Sequence, residues 1–247
     1  PVALVLGAAV DVLRAKVQGA SIGCIHNLQP CRPSGASEAD AAATARLDVY
    51  WNSAFPDPQC RGEYPSSMRT VIEPHQQPGD LARICRPLDW FGLNHYSPVY
   101  VKAQPTAMLG FDFGEKPAGV ALTQIGWPID PPAFGETLRL VHERYRLPIY
   151  VLENGYGGND RPDASGAVTD PERIDFLRGY IGAMNAAAAD GVDVRGYFVW
   201  SLLDNFEWMS GYSDRFGLVY VDYASLQRIA KSSFHWYADL IKAARQR

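Results

Sequence analysis

Pro148-Ile-Tyr-Val-Leu-Glu-Asn-Gly-Tyr-Gly-Gly158 is the stretch whose reading decides the fold. Four apolar residues, Ile149 to Leu152, lie between a proline and a glycine-rich turn. A short continuous apolar run bounded in this way reads as a buried strand of a parallel sheet. It ends in a carboxylate, Glu153. The C-terminal ends of parallel strands are where α/β folds gather their chemistry. The competing reading of these residues alone is a solvated Glu-Asn-Gly turn.

Working outward, a helical pattern over 133–146 precedes this strand, with Leu138, Val141 and Tyr145 on one face. A second helix follows a glycine- and aspartate-rich loop. Asp170-Pro171 marks its start as cap and first-turn proline, and Ile174, Leu177, Ile181 and Met184 form its apolar stripe up to Gly191. Further strands are expected at 21–28, 89–101 and 194–202, with a hairpin around 217–223. Further helices are expected at 2–18, 38–55, 79–86 and 232–244. The segment 102–132 reads as a long irregular stretch. This β–α alternation predicts an α/β fold. Some 250 residues suffice for a complete (β/α)₈ barrel, yet only four strands are evident, about sixty residues apart by the spacing of such units. No repeat or interdomain linker divides residues 1–247, so one domain is expected.

Composition narrows the function. The chain is 47% hydrophobic with a formal charge of −4, ordinary for a globular core and without the basic patch that nucleic acid requires. No apolar run reaches membrane-spanning length. Cys24, Cys31, Cys60 and Cys85 form no Cys-x-x-Cys pair and do not cluster with histidines in the sequence, so a zinc site is not expected. Free thiols suit a reducing compartment, and a cytoplasmic location is the expectation.

Tyr150-Val-Leu-Glu-Asn-Gly-Tyr-Gly157 resembles the nucleophile motif of the family 1 glycoside hydrolases, the retaining β-glucosidases and their relatives, with Leu152 where that family usually has Thr. A longer match, Trp200-Ser-Leu-Leu-Asp-Asn-Phe-Glu-Trp208 continuing through Gly211-Tyr-Ser-Asp-Arg-Phe-Gly-Leu-Val-Tyr-Val-Asp-Tyr223, resembles the same family and follows in the same order. Phe55-x-Asp-Pro-x-x-x-Gly-x-Tyr-Pro65 and Asp89–Tyr96 extend the resemblance over nearly the whole chain. It implies a TIM-type (β/α) barrel of which this chain resembles strands five to eight, the C-terminal half. It also implies hydrolysis of β-glucosides with retention, through a covalent glycosyl-enzyme at Glu153. Asn94 and Tyr96, two apart on one strand face, correspond to a pocket residue and to the hydroxyl that holds the nucleophile ionised. His95, on the other face, reads as structural. Glu207 and Trp208 correspond to a sugar-gripping pair, Trp200 to the pocket floor and Phe216 to its wall. Trp127 corresponds to a ring at the leaving-group site, in a departing context, Gly126-Trp-Pro-Ile-Asp-Pro-Pro132.

A retaining glycosidase needs a second carboxylate as acid/base. The family's Asn-Glu-Pro motif for that residue is absent, and Ile72-Glu73-Pro74 stands in the wrong unit. Alternatives therefore stay open: an inactive sugar-binding or scaffold protein, or half of a split glycosidase. Four parallel strands cannot close a barrel and leave two edges unpaired. A homo-oligomer, or a partner chain completing the barrel, is the corresponding expectation.

Overall fold

A computed structural model describes residues 2–246. In chain order the elements are α1 (Val2–Lys16), β1 (Gly23–Asn27), β2 (Cys31–Pro33), α2 (Glu38–Asn52), α3 (Pro56–Cys60), α4 (Arg69–Ile72), α5 (Asp80–Ile84), β3 (Trp90–Asn94), β4 (Val99–Ala103), β5 (Phe111–Phe113), α6 (Pro131–Tyr145), β6 (Ile149–Asn154), α7 (Pro171–Ala189), β7 (Val194–Val199), β8 (Val219–Val221), β9 (Arg228–Ala230) and α8 (Ser232–Ala244). The frame is a four-stranded sheet in the order β1-β3-β6-β7, every pair parallel. Each strand's neighbour is the next strand of this sheet along the chain, the singly wound order of an open barrel arc. Smaller sheets, β2-β4-β5 and β8-β9, lie beside it.

The caps explain where the long helices begin. Ser37 accepts the backbone N–H of Asp40 at 3.0 Å to start α2. Asp130 does the same for Ala133 at 3.0 Å ahead of α6. At α7 the expectation needs correcting. Asp170 occupies the cap position and Pro171 the first turn, but the Asp170 carboxylate makes no cap bond. It is drawn instead to Ser233 N–H (2.8 Å) and Ser233 Oγ (2.5 Å) at the start of α8.

The two faces of the sheet differ. Outward, Phe91, Leu93, Ile149 and Val151 are fully buried beneath α6 and α7, with Phe134, Leu138, Val141, Leu177 and Tyr180 completing that core. Inward, Ile25 and Phe198 are each 54% exposed, and Trp90, Tyr150 and Leu152 are half-buried. Glycines make this inner face. A Cβ on Gly23 would stand 2.1 Å from the Trp90 ring, and one on Gly196 would stand 2.7 Å from the Tyr150 ring. The two rings meet edge to face, centroids 5.6 Å apart.

Two expectations are refined. The run 89–101 is two strands, not one: β3 ends at Asn94, Ser97-Pro98 interrupts, and β4 joins a different sheet. The segment 102–132 is not irregular throughout, because Phe111–Phe113 pairs antiparallel with β4. The four cysteines are free thiols. Among the described residues, no helix is long and apolar enough to cross a membrane, and no group of three His, Cys, Asp or Glu is placed to hold a metal ion.

Candidate active site

The site lies at the C-terminal ends of β3, β6 and β7. Glu153 is the penultimate residue of β6, opposite Asn94 in the pairing with β3. Its side chain accepts the Tyr96 hydroxyl at 2.6 Å, a charge-assisted bond at the short end of the range. Burial, and then the adjoining Glu153 carboxylate, push the Tyr96 hydroxyl far above its ordinary pKa, so it stays a donor. Such a donor fixes the direction in which the carboxylate points.

Backbone and side-chain bonds fix Glu153 from behind. His95 N–H donates to the Glu153 carbonyl at 2.9 Å. Asn154, fully buried, donates its amide to the His95 carbonyl at 2.8 Å and accepts the Tyr197 hydroxyl at 2.6 Å. Asn154 therefore ties β6 to both neighbouring strands. It ends the strand rather than opening the turn, so the reading as an ordinary turn residue missed it. The only signal was its place beside Glu153. His95 itself is buried, held lateral to Phe134 and Tyr180, with Nδ1 3.1 Å from the Leu28 carbonyl. Burial drives its pKa down to about 3, which fits a neutral structural imidazole.

A second pair faces the same opening from β7. Trp200 follows that strand, and its indole N–H donates to Glu207 Oε1 at 3.0 Å. The Trp200–Ser201 peptide is cis. Burial raises the Glu207 pKa; the Trp200 bond opposes this, and the charges of Asp214 and Glu153 reinforce it. Three rings close the wall: Trp127 and Phe216 each meet Tyr96 edge to face, at 5.4 and 6.1 Å, and each other at 5.6 Å. Trp127 thus reaches the site despite its departing sequence context. Asn94 Oδ1 is buried without a hydrogen-bond partner, an acceptor available to a ligand. Trp208 shares the Glu207 loop but stands 84% exposed, so it is the one candidate that the structure leaves outside the cluster. A groove of about 390 Å³ between Glu63, Tyr64, Arg69 and Glu73 shares no residue with this cluster.

The sequence profile of glycosyl hydrolase family 1 matches residues 2–246. The chain belongs to glycosyl hydrolase family 1. It is 38% identical over 239 residues to β-glucosidase A of Thermotoga maritima, covering 95% of this chain and 53% of that protein. It is 41% identical over 236 residues to a bifunctional β-D-glucosidase/β-D-fucosidase of Bifidobacterium breve, covering 87% of this chain and 50% of that one. The solved family 1 β-glucosidase of T. maritima superposes with a TM-score of 0.88 at 37% identity, over 96% of this chain and 54% of that structure. The same enzyme has been solved with glucoimidazole bound, with a TM-score of 0.87 to this chain. The chain spans about half the length of the family 1 relatives that it matches. Its four-stranded arc is a partial set of the βα units of a family 1 TIM barrel.

Proposed function

We propose that this chain carries the nucleophile half of a retaining β-glucosidase site. The observation that carries the reading is the Tyr96–Glu153 bond at the mouth of the parallel sheet, with the Trp200–Glu207 pair opening on the same space. Glu153 attacks the anomeric carbon of a β-glucoside. The C–O bond to the leaving group breaks, and a covalent glycosyl-enzyme ester forms on Glu153. Water then attacks the same carbon and frees the carboxylate. Tyr96 keeps Glu153 aimed, Asn94 Oδ1 accepts a sugar hydroxyl, and Glu207 accepts others. Trp200 forms the floor beneath the sugar, and Trp127 and Phe216 the wall. Trp208, on the Glu207 loop, offers its exposed indole to the apolar sugar face. No cofactor takes part.

The acid that protonates the leaving group is supplied from outside this set of residues. We assign it to a polypeptide that completes the barrel. Two features support completion: the half-exposed apolar inner face, and the free edge of β1, where Val2, Leu6, Tyr50, Trp51 and Phe55 line a groove of about 320 Å³. A second copy of this chain brings the same four strands and the same α1, so a polypeptide with different βα units is the better fit. The free thiols support a reducing, cytoplasmic location; a disulfide in protein isolated under thiol-blocking conditions would contradict it.

The test is turnover of an aryl β-glucoside and of an unactivated disaccharide by the chain alone, and by the chain mixed with the first four βα units of a family 1 barrel. Mixing is expected to raise disaccharide turnover by about 10²–10⁴-fold, the usual contribution of general acid/base assistance. No change on mixing, with complex formation demonstrated, would remove the split-site reading.

A further inference from the structure

Between the loop that leaves Glu153 and the loop that carries Glu207 lies a buried ionic cluster of three carboxylates and three cations. Its members are Asp160, Asp170, Asp204, Arg173, Arg215 and Lys231, with side chains between 0% and 12% exposed. Lys231, at the start of α8, bridges the two loops. Its Nζ donates to Asp160 Oδ2 at 2.5 Å and to Asp204 Oδ1 at 3.0 Å. Asp160 belongs to the loop after Glu153, and it also accepts Arg173 Nη2 at 2.6 Å. Asp204 stands at the root of the Glu207 loop. Its other oxygen accepts Arg215 Nη1 at 2.6 Å, and its first also accepts Gly217 N–H at 2.9 Å.

Asp204 and Arg215 are where the Glu207 loop leaves the body and where it returns, so their ion pair closes the loop at its base. The returning strand is stitched to the nucleophile's loop by a reciprocal pair of backbone bonds between Gly158 and Arg215, both 2.9 Å. The Arg215 guanidinium is held over the rings of Tyr220 and Tyr223, at 4.1 and 4.7 Å. Phe216, next in the chain, is the pocket wall. None of the six charges hydrogen-bonds the Glu153 or Glu207 side chain; the cluster reaches the segment carrying Phe216 through Arg173, which donates to the Arg215 carbonyl at 2.9 Å, and through Asp204, which accepts Gly217 N–H.

We infer that Lys231, Asp160 and Asp204 are positioning residues for glycone recognition. They set the distance between the Glu207 loop and Glu153, and so the fit of the sugar rather than the reactivity of the nucleophile. Tyr96 orients Glu153 from β3, independently of the cluster, so the two functions separate. The inference rests on the proposed glycosidase reading. An alternative use of the same charges is stabilisation alone, and replacing one member of a buried ion pair is costly whatever its role. The test therefore uses the charge-balanced double substitution Asp160→Asn with Lys231→Met. It leaves Asp204 paired with Arg215, and Asp170 with Arg173.

The 247-residue chain and this variant are labelled with an activated 2-fluoro-β-glucoside, and the limiting rate and half-saturating concentration are measured separately. The expected result is a half-saturating concentration raised about tenfold, the usual worth of one charge-assisted hydrogen bond, with the limiting rate within about threefold. In the same variant the Trp200 indole N–H resonance shifts away from its Glu207-bonded position. A folded variant with both kinetic parameters and the Trp200 resonance unchanged overturns the inference, as does a fall in limiting rate alone. If the unsubstituted chain takes no label, the glycosidase reading fails, and the Trp200 resonance decides the inference: moved supports it, unmoved overturns it. If the double variant does not fold, Lys231→Arg replaces it. An intermediate rise of about threefold in half-saturating concentration is then expected, on the same reasoning, and no rise overturns the inference.

Discussion

The two faces of the central sheet are built from alternate residues of the same strands, yet they meet different fates. Phe91 and Val151 point outward and are fully buried under α6 and α7; Phe198 and Ile25 point inward and are each 54% exposed. The outward side is a finished core that explains how half a barrel's units hold a shape. The inward side, and the mouth above it, is finished only in part. Two well-formed pairs, Tyr96–Glu153 and Trp200–Glu207, stand over an apolar surface that nothing among the described residues covers. The difference teaches that, on the proposed reading, stability and site completeness are separable: the first is local to each βα unit, while the second draws on residues from across the barrel.

The sharpest way to break this comparison is to truncate each face in turn. Phe91 stacks on Tyr145 with centroids 5.0 Å apart in the finished core. Phe91→Ala is expected to cost about 3–5 kcal/mol in urea denaturation. A loss under about 1 kcal/mol, the scale of a surface change, would show that the outer core is not what holds the chain. Next in size is the nucleophile's donor. Tyr96→Phe is expected to slow covalent labelling by about 10²-fold, roughly 2.7 kcal/mol of transition-state stabilisation, with the half-saturating concentration little changed. An unchanged rate would mean that Glu153 needs no such donor.

Glu207 gives a pH effect whose sign follows from its raised pKa. On the proposed reading the carboxylate form accepts sugar hydroxyls, and burial makes that form harder to keep. Glycone affinity should therefore be full at neutral pH and fall as pH drops through a value above the ordinary Glu pKa of about 4.3. The loss is expected to be about tenfold. Glu207→Gln should flatten that profile, and a profile unaltered by the substitution would reassign the titration. The smallest effect belongs to the inner face. Phe198→Ser should change the stability of the isolated chain by no more than about 0.5 kcal/mol, yet weaken association with complementary βα units. Equal behaviour in both assays would argue that the inner face is not where the partner sits.

How much of this was legible in the sequence depends on how local each feature is. The strand around Val151 and the stripe of α7 were readable because periodicity and bounding Pro and Gly residues are properties of a few neighbours. Tyr96 and Glu153, fifty-seven residues apart and joined at 2.6 Å, became readable together only through resemblance. The break at Ser97-Pro98 was missed because the apolar pattern runs on across it into another sheet. Asp170 has the residue type of a cap, but its carboxylate bonds Ser233, sixty-three positions on. The Lys231 bridge joins Asp160, seventy-one positions away, and no local pattern announces such a contact. Asp204 lies inside the Trp200–Trp208 motif, but its partners Arg215 and Lys231 stand eleven and twenty-seven positions away, beyond any local pattern. Trp208 shows the reverse: its motif is unmistakable, and its ring is solvent-exposed.

The central claim is that Glu153 is a working glycosidase nucleophile held ready by this chain. Intact mass after incubation with an activated 2-fluoro-β-glucoside tests it most directly, because that reagent needs an attacking carboxylate and little help from an acid. The account predicts one sugar adduct, mapped by peptide digestion to Glu153 and absent from Glu153→Gln. A folded chain that takes no adduct, or takes it at another residue, would contradict it.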